Sequence, residues 1–134
     1  MYKGGCLCGA IRFEIHRDIR DIVYCHCSRC RKAQGSAFAT NGNVASDAFR
    51  IVSGEDLLSA YESTPGEFKC FCKVCGSPIL SRRQDRPERV RVRLGTIDSD
   101  IDERPRAHIF ATSRANWETI CGDLPQYEGY EPET

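Results

Sequence analysis

The sequence has no excess of charge of either sign, no long apolar run, and only one methionine and one tryptophan. Nineteen lysine and arginine residues balance nineteen aspartate and glutamate residues, so the formal net charge is zero. Proteins that hold nucleic acid mainly through its phosphates normally carry a basic excess, so the composition argues against a nucleic-acid partner. No apolar run reaches the length of a membrane span, which argues against a membrane partner.

The start of the chain, MYKGGCLCGA, also lacks the apolar stretch of a secretory signal peptide. We therefore expect a cytoplasmic protein. The 134 residues are enough for one domain of ordinary size. We place that domain over residues 1–127. Residues 128–134 hold three glutamates and one proline, and we expect them to form a loosely held acidic tail.

Cysteine, by contrast, is abundant, and eight of the nine cysteines lie in three groups of closely spaced residues, here called knots. The nine cysteines are Cys6 and Cys8; Cys25, Cys27 and Cys30; Cys70, Cys72 and Cys75; and Cys121. An odd number cannot pair completely, and disulfides persist in oxidising compartments, for which this sequence shows no export signal. Closely spaced thiolates can converge on one ion, and C-x-x-C is a common zinc-binding element. The spacing therefore predicts zinc rather than disulfides.

Short β-like stretches separated by turn signals fill most of the remaining chain. Residues 11–15 and 90–94 alternate apolar with polar side chains, which predicts strands with one buried face. Further β-like stretches are residues 22–25, 36–40, 49–52, 57–61, 68–71, 78–81 and 108–111. Short helices are predicted over 28–34, closed by Gly35, and over 113–120. The pattern predicts a mainly β, antiparallel, single-domain fold.

The arginine-rich stretch over residues 82–93 has two interpretations. It could bind phosphates, or it could be an ordinary solvated face. The alternation with Val90 and Val92 puts Arg91 and Arg93 together on the face opposite the valines. Since the chain carries no net charge, we expect that face to be solvated.

The way the cysteines divide between sites decides what the metal can do. Zinc held by four thiolates is closed and structural, whereas a three-ligand zinc keeps a position for water or substrate. Four thiolates also leave the ion with a net negative charge that weakens it as a Lewis acid. The eight clustered cysteines allow either two closed sites or one closed and one open site.

Four motifs, in order along the chain, carry a family resemblance. They are GGCLCGAIRFEI, YCHCSRCRKAQGSAF, FCKVCGSPI, and RAHIF followed by a tryptophan and DLPQY. The series resembles the glutathione-dependent formaldehyde-activating enzyme (Gfa) family, which also includes the centromere-protein-V-like proteins. The resemblance covers residues 3 to 127.

The resemblance implies a β-tent-like fold with two zinc ions. Motif by motif, Cys6, Cys8, Cys72 and Cys75 would form a closed structural site, and Cys25, Cys27 and Cys30 an open catalytic one. Cys70 would be a spare thiol. The implied activity is that of a carbon–sulfur lyase acting on glutathione adducts, of which the formation of S-hydroxymethylglutathione from formaldehyde is the namesake reaction.

The residues around the second knot are candidates for binding and catalysis. Glutathione carries two carboxylates, so Arg29, Arg31 and Lys32, which follow the open site, are candidate binding residues. His26 is a candidate acid–base or auxiliary ligand. In an extended C-H-C segment, however, its ring points away from its neighbours' side, which favours a structural role.

Two other residues have expected roles, and a second functional class remains open. We expect His108 to be a buried polar residue with a partner, and Cys121 to be a small core residue. The alternative function is a zinc-stabilised module that binds a nucleic acid or protein and catalyses nothing. A fourth ligand at the second knot, from Cys70 or a histidine, would favour that alternative.

Overall fold

The computed structural model describes residues 1–132, which form ten β-strands, one α-helix and four single-turn 3₁₀ segments. The strands are β1 (Tyr2–Gly5), β2 (Arg12–Ile15), β3 (Arg20–Cys25), β4 (Ala39–Ala45), β5 (Phe49–Ser53), β6 (Leu58–Thr64), β7 (Glu67–Cys72), β8 (Pro78–Arg83), β9 (Arg89–Arg93) and β10 (Ala107–Ile109). Helix α1 spans Ser28–Gln34, and the 3₁₀ segments span Ser46–Ala48, Glu55–Leu57, Leu94–Thr96 and Ala111–Ser113. Within the described residues, no helix is long and apolar enough to cross a membrane.

The strands form two sheets. The smaller sheet has the order β1-β2-β5, and the larger has the order β10-β3-β4-β9-β8-β7-β6. Every strand pair is antiparallel except β3 with β10, which run parallel. The predicted mainly β, antiparallel, single-domain fold is confirmed.

One of the two predicted helices is present. Helix α1 ends at Gly35, which adopts a left-handed conformation (φ 63°) and donates its N–H to the Arg31 carbonyl. The helix predicted over residues 113–120 is wrong, because the chain makes only the 3₁₀ turn before it. In that segment only Ala115 is buried, and a short helix without an apolar face to bury gains too little to form.

The larger core lies between the two sheets. It joins Phe13 and Ile15 of the small sheet, and Ile11 just before β2, to apolar residues of the large sheet such as Val44 and Val92. Because strand side chains alternate between faces, the residues next to these valines point to the other side of the large sheet. That second face carries a smaller cluster around Val23, Cys25, Cys30, Ala39, Ala107 and Ile109.

The expectation that Arg91 and Arg93 lie on a solvated face is wrong. Their alternation with Val90 and Val92 is as predicted, but the face they occupy is covered. Arg93 is 3% exposed, and the Arg91 side chain is 11% exposed. The prediction failed because a sequence pattern shows that two faces differ and does not show what packs over the polar one.

The C-terminal segment packs against the domain, contrary to the expectation of a loose tail. Its backbone bonds to the edge of the large sheet: the His108 N–H donates to the Pro125 carbonyl, and the Phe110 N–H to the Gly129 carbonyl. Tyr130 makes an edge contact with Phe110, their ring centroids 5.0 Å apart. The predicted tail runs to residue 134, and its last two residues lie outside the described part of the chain.

Candidate metal centres and the adjoining cavity

The first candidate centre brings together four thiols from two distant parts of the chain. The sulfur atoms of Cys6, Cys8, Cys72 and Cys75 all lie within 4.8 Å of one another. Cys6 and Cys8 follow β1, whereas Cys72 ends β7 and Cys75 lies in the turn after it. Four convergent thiols are a donor set that zinc takes in closed structural sites.

Backbone bonds hold this four-thiol cluster in place. The Gly76 N–H donates to the Cys72 carbonyl at 2.7 Å, and the Ile11 N–H donates to the Cys6 sulfur at 3.2 Å. The hydrogen bond with the Ser77 hydroxyl lowers the pKa of the Cys75 thiol to about 5. Cys6 and Cys72 are buried in the larger core. The cluster therefore joins the start of the chain to β7 and contains a thiol that is readily ionised.

The second candidate centre contains three thiols. Cys25 ends β3, Cys27 caps α1 and Cys30 lies in its first turn. Their sulfur atoms lie within 4.8 Å of one another, and no further histidine, cysteine, aspartate or glutamate among residues 1–132 joins them. The local fold explains the arrangement, because the strand ends where the helix begins and all three side chains turn to one side.

The three thiols share their protons unequally. Hydrogen bonds from Cys25 and Cys30 lower the pKa of the Cys27 thiol to about 2. In return, hydrogen bonds to Cys27 and Cys30 raise the pKa of Cys25. A half-buried thiolate held by two neighbouring S–H groups is a site at which a divalent cation can replace protons. The donor set of this cluster thus fits zinc as well as that of the first.

His26 lies behind the three thiols rather than among them. The backbone N–H of His26 donates to the Ile109 carbonyl at 3.0 Å, and the Nε2 atom of its ring lies 2.9 Å from Nδ1 of His108. The ring also stacks on Phe38, with centroids 5.3 Å apart. Burial lowers the pKa of both histidines. The expectation that His108 is a buried polar residue with a partner is therefore confirmed.

A cavity of about 220 Å³ opens beside the three-thiol cluster. Phe110 and Tyr130 contribute aromatic wall, and Glu67 is the carboxylate among the described lining residues. The cavity is otherwise strongly basic. Its cationic lining residues are Arg29, Lys69, Arg82, Arg83, Arg86, Arg89, Arg91 and Arg93.

Only one of the three predicted glutathione-binding residues lines this cavity. Arg29 does so, whereas the Arg31 guanidinium donates to the His26 carbonyl at 3.4 Å and Lys32 is exposed elsewhere on α1. Sequence reasoning did not assign the arginines of β8 and β9 to the site. The available signal was the alternation in β9, which places Arg89, Arg91 and Arg93 on one face of the strand.

Strand register explains why these arginines reach the thiols. Cys25 pairs with Ala39, and two residues further along β4, Asn41 pairs with Arg93. Residues two apart on a strand share a face, so Cys25 and Arg93 lie on the same side of the large sheet. Burial lowers the pKa of Arg93, and the charge of the nearby Cys30 opposes that effect.

Two cysteines belong to neither cluster. Cys70 is buried in the larger core, and Arg82 donates to its sulfur at 3.0 Å. Cys121 is exposed, so the expectation that it is a core residue is wrong. It follows residues 113–120, of which only Ala115 is buried, so no apolar core is formed around it.

Comparison with a solved structure supports the fold. A crystal structure of a Rhodobacter sphaeroides protein superimposes with a TM-score of 0.63. The match covers 92% of this chain and 98% of that one, at 23% sequence identity. At this identity the likeness concerns the fold alone.

Curated relatives are similar over part of their length. A Penicillium rubens protein named "Putative glutathione-dependent formaldehyde-activating enzyme" is 30% identical over 94 residues, 66% of this chain and 49% of that protein. A Pyrenophora teres protein of the same name is 27% identical over 86 residues, 60% of this chain and 45% of that protein. An uncharacterized lyase of Schizosaccharomyces pombe is 30% identical over 78 residues, 58% of this chain and 55% of that protein. The chain thus spans about half the length of the curated relatives it matches.

The family assignment rests on a longer match. Residues 1–113 match the sequence model of the family described as glutathione-dependent formaldehyde-activating enzyme. That range includes both cysteine clusters and all the cavity arginines. This chain therefore belongs to the glutathione-dependent formaldehyde-activating enzyme family.

Proposed function

We propose that this protein is a zinc-dependent enzyme that forms or breaks a carbon–sulfur bond in adducts of glutathione or a related thiol. The reaction would be of the type that makes S-hydroxymethylglutathione. The observation that carries the proposal is the second cysteine cluster, which offers three thiols rather than four and lines a basic cavity.

The two clusters would hold zinc for different purposes. The four thiols around Cys72 would hold a closed structural ion. Zinc bound by Cys25, Cys27 and Cys30 would keep one coordination position, where it could favour the thiolate form of a substrate or polarise a carbonyl oxygen. A fourth ligand from Cys70 or a histidine would close that position and argue against catalysis. Cys70 instead bonds to Arg82, and His26 bonds to His108.

The chain's own residues would bind and orient the thiol substrate. Glutathione carries two carboxylates and one ammonium group, and guanidinium groups bind carboxylates through charge-assisted hydrogen bonds. Arg29, on the exposed side of the cavity, and the arginines of β8 offer such donors. Phe110 and Tyr130 line the same space and would exclude water from the reacting atoms.

The names of the relatives support the same class of reaction. Two fungal relatives carry the name of the formaldehyde-activating enzyme, and the fission-yeast relative is named a lyase. Addition of a thiol to a carbonyl compound and its reverse are the two directions of one reaction, so both names fit one site. Proteins that share a metal frame can differ in substrate, so the carbonyl partner has to be argued from this cavity.

Cobalt substitution followed by glutathione titration tests the proposal. We expect the ligand-field bands of the cobalt-loaded protein to shift as glutathione is added, because its sulfur would enter the coordination sphere of the three-thiol site. S-methylglutathione is the matched control, since it has the same peptide and no free thiol, and it should not give the same shift. Bands that stay unchanged with glutathione would contradict the enzyme and favour a zinc-stabilised binding module.

A further inference from the structure

The cavity has more positive charge than glutathione and formaldehyde can use. Eight cationic side chains line it. Three carboxylates offset part of this charge, since Glu67 and Asp85 pair with Arg83 and Glu131 pairs with Arg91. Glutathione offers two carboxylates, partly offset by its ammonium group, and formaldehyde offers no charge. The excess concerns the substrate of the proposed function, on which this inference rests.

The deepest of these cations have donors without acceptors. Arg93 is 3% exposed, and its Nη1 donates to Asn41 at 2.7 Å, but its Nε has no hydrogen-bond partner within residues 1–132. The Arg91 Nε is likewise buried and unpartnered in the part of the chain described here. A buried guanidinium N–H without an acceptor is costly, so it calls for a partner such as an anion or an ordered water.

A carboxylate can be accommodated at this place. The carboxylate of Glu131 lies 3.7 Å from Nη2 of Arg91, too far for a hydrogen bond but close enough for an ion pair. The Glu131 side chain is only 8% exposed. The chain itself thus brings a carboxylate to Arg91 and leaves Arg93 with its unpartnered donor.

The position of the arginines relative to the thiols points to the carbonyl partner rather than to glutathione. Arg93 lies on β9, which pairs with β4, and β4 in turn pairs with β3 at Cys25. Arg93 and Cys25 are on the same face of the sheet. The carboxylates of glutathione are separated from its sulfur by amide bonds on both sides. A group attached to the carbonyl carbon, in contrast, lies next to the new carbon–sulfur bond.

We propose that Arg91 and Arg93 form a subsite for an anionic group, a carboxylate or a phosphate, carried by the carbonyl compound that reacts with the thiol. The preferred substrate is then the thiol adduct of an anionic aldehyde or 2-oxo acid rather than that of formaldehyde. In the forward direction, the thiol sulfur bonds to the carbonyl carbon as the C=O π bond breaks. The thiol proton ends on the former carbonyl oxygen, and nothing is oxidised or reduced.

Two stable thioethers that differ only at the sulfur substituent test the subsite. Binding of S-(carboxymethyl)glutathione and S-methylglutathione to the zinc-loaded protein is measured by calorimetry. We expect the carboxymethyl compound to bind about tenfold or more tightly than the methyl compound, because its extra carboxylate pairs with buried guanidinium donors. The ratio should shrink as salt is added.

Variants test whether the difference in affinity between the two thioethers depends on the β9 arginines. Arg93→Gln should bring the affinity ratio to within about threefold, while Arg50→Gln, an exposed arginine on β5, should leave it unchanged. If Arg93→Gln does not fold, as judged by circular dichroism and zinc content, Arg91→Gln with Glu131→Gln is measured instead. An unchanged ratio in a folded variant of either kind contradicts the subsite.

Turnover distinguishes the two sources of the anion. Glutathione is mixed with formaldehyde, glyoxylate or glycolaldehyde phosphate, and its loss is followed. A carboxylate subsite predicts that glyoxylate has the highest kcat/KM, and a phosphate subsite predicts glycolaldehyde phosphate. Highest kcat/KM with formaldehyde, or equal binding of the two thioethers, overturns this inference and leaves the proposed function intact. If neither thioether binds and glutathione leaves cobalt bands unchanged, both are overturned.

Discussion

The two cysteine clusters both draw on a C-x-C-x-x-C motif, but they lie in different surroundings. The knots C-x-C-x-x-C at Cys25 and at Cys70 have identical spacing, yet the first gives three clustered thiols and the second contributes two. The difference lies in where the strand ends. Cys25 is the last residue of β3, whereas β7 continues to Cys72 and keeps Cys70 inside the strand. Spacing alone therefore does not determine a ligand set.

The surroundings divide the clusters further. The four-thiol cluster belongs to the core between the sheets, and the three-thiol cluster lies on the opposite face, beside the cationic cavity. A metal bound by the four-thiol cluster would support the packing of both sheets. A metal bound by the three-thiol cluster would be in contact with a ligand that enters the cavity. Loss of stability should therefore follow damage to the first cluster, and loss of activity should follow damage to the second.

Removing a thiol from the first cluster should have the largest effect on stability. For Cys72→Ser we expect zinc content to fall by about one ion per chain, and the free energy of unfolding to drop by about 3 kcal/mol or more, since structural zinc contributes directly to folding. Thermal unfolding and metal analysis measure this. Cys121→Ser, at an exposed cysteine outside both clusters, is the control and should leave both values unchanged. Equal stability in Cys72→Ser would contradict a structural role for the four-thiol cluster.

The matching change in the second cluster should act on function. Cys27→Ser should abolish the cobalt-band response to glutathione and reduce turnover by about a hundredfold or more, because the proposed open metal site would be lost. Its unfolding free energy should fall by less than that of Cys72→Ser. The reverse order of stabilities would mean that the three-thiol cluster, and not the four-thiol one, holds the fold.

Acidification of the metal-free protein should separate the clusters again. The pKa of Cys75 is lowered to about 5 and that of Cys27 to about 2, both below the value of about 9 for a free thiol. A lowered pKa contributes stability that is complete above the unfolded value and is lost as the pH falls towards the folded one. Between about pH 8 and pH 4 the thiolate absorbance of Cys75 should therefore disappear, while that of Cys27 remains. The signal lost on acidification should be smaller in Cys75→Ser and unchanged in Cys27→Ser.

The smallest effect concerns the exposed cations near the second cluster. Arg29→Gln should weaken glutathione binding by about threefold, because Arg29 lines the cavity but is solvent-exposed, and exposed ion pairs contribute little. Lys32→Gln, on the same helix and away from the cavity, should change the affinity by less than about twofold. Equal weakening by both would show that general charge, and not the cavity, attracts glutathione.

Much of the fold follows from the sequence, and part of the site does not. Alternation and turn residues predict most strands, and Gly35 predicts the end of α1, because these are local effects. The grouping of Cys6 and Cys8 with Cys72 and Cys75 joins residues far apart in sequence and was expected only through the family resemblance. The cationic cavity depends on which face of β9 is covered. That follows from the packing of the C-terminal segment, which no local pattern near Arg91 reveals.

That packing also has a consequence for the order in which the protein is synthesised. The three thiols at the end of β3 and the start of α1 leave the ribosome early, whereas β10, which pairs with β3, and Tyr130, which lines the cavity, emerge much later. Until then Cys25, Cys27 and Cys30 lack the cover that the finished fold gives them, and they are open to oxidation or to capture of another metal. If this site binds zinc, its correct loading would depend on the reducing power and the metal supply of the cell while the chain is still being made.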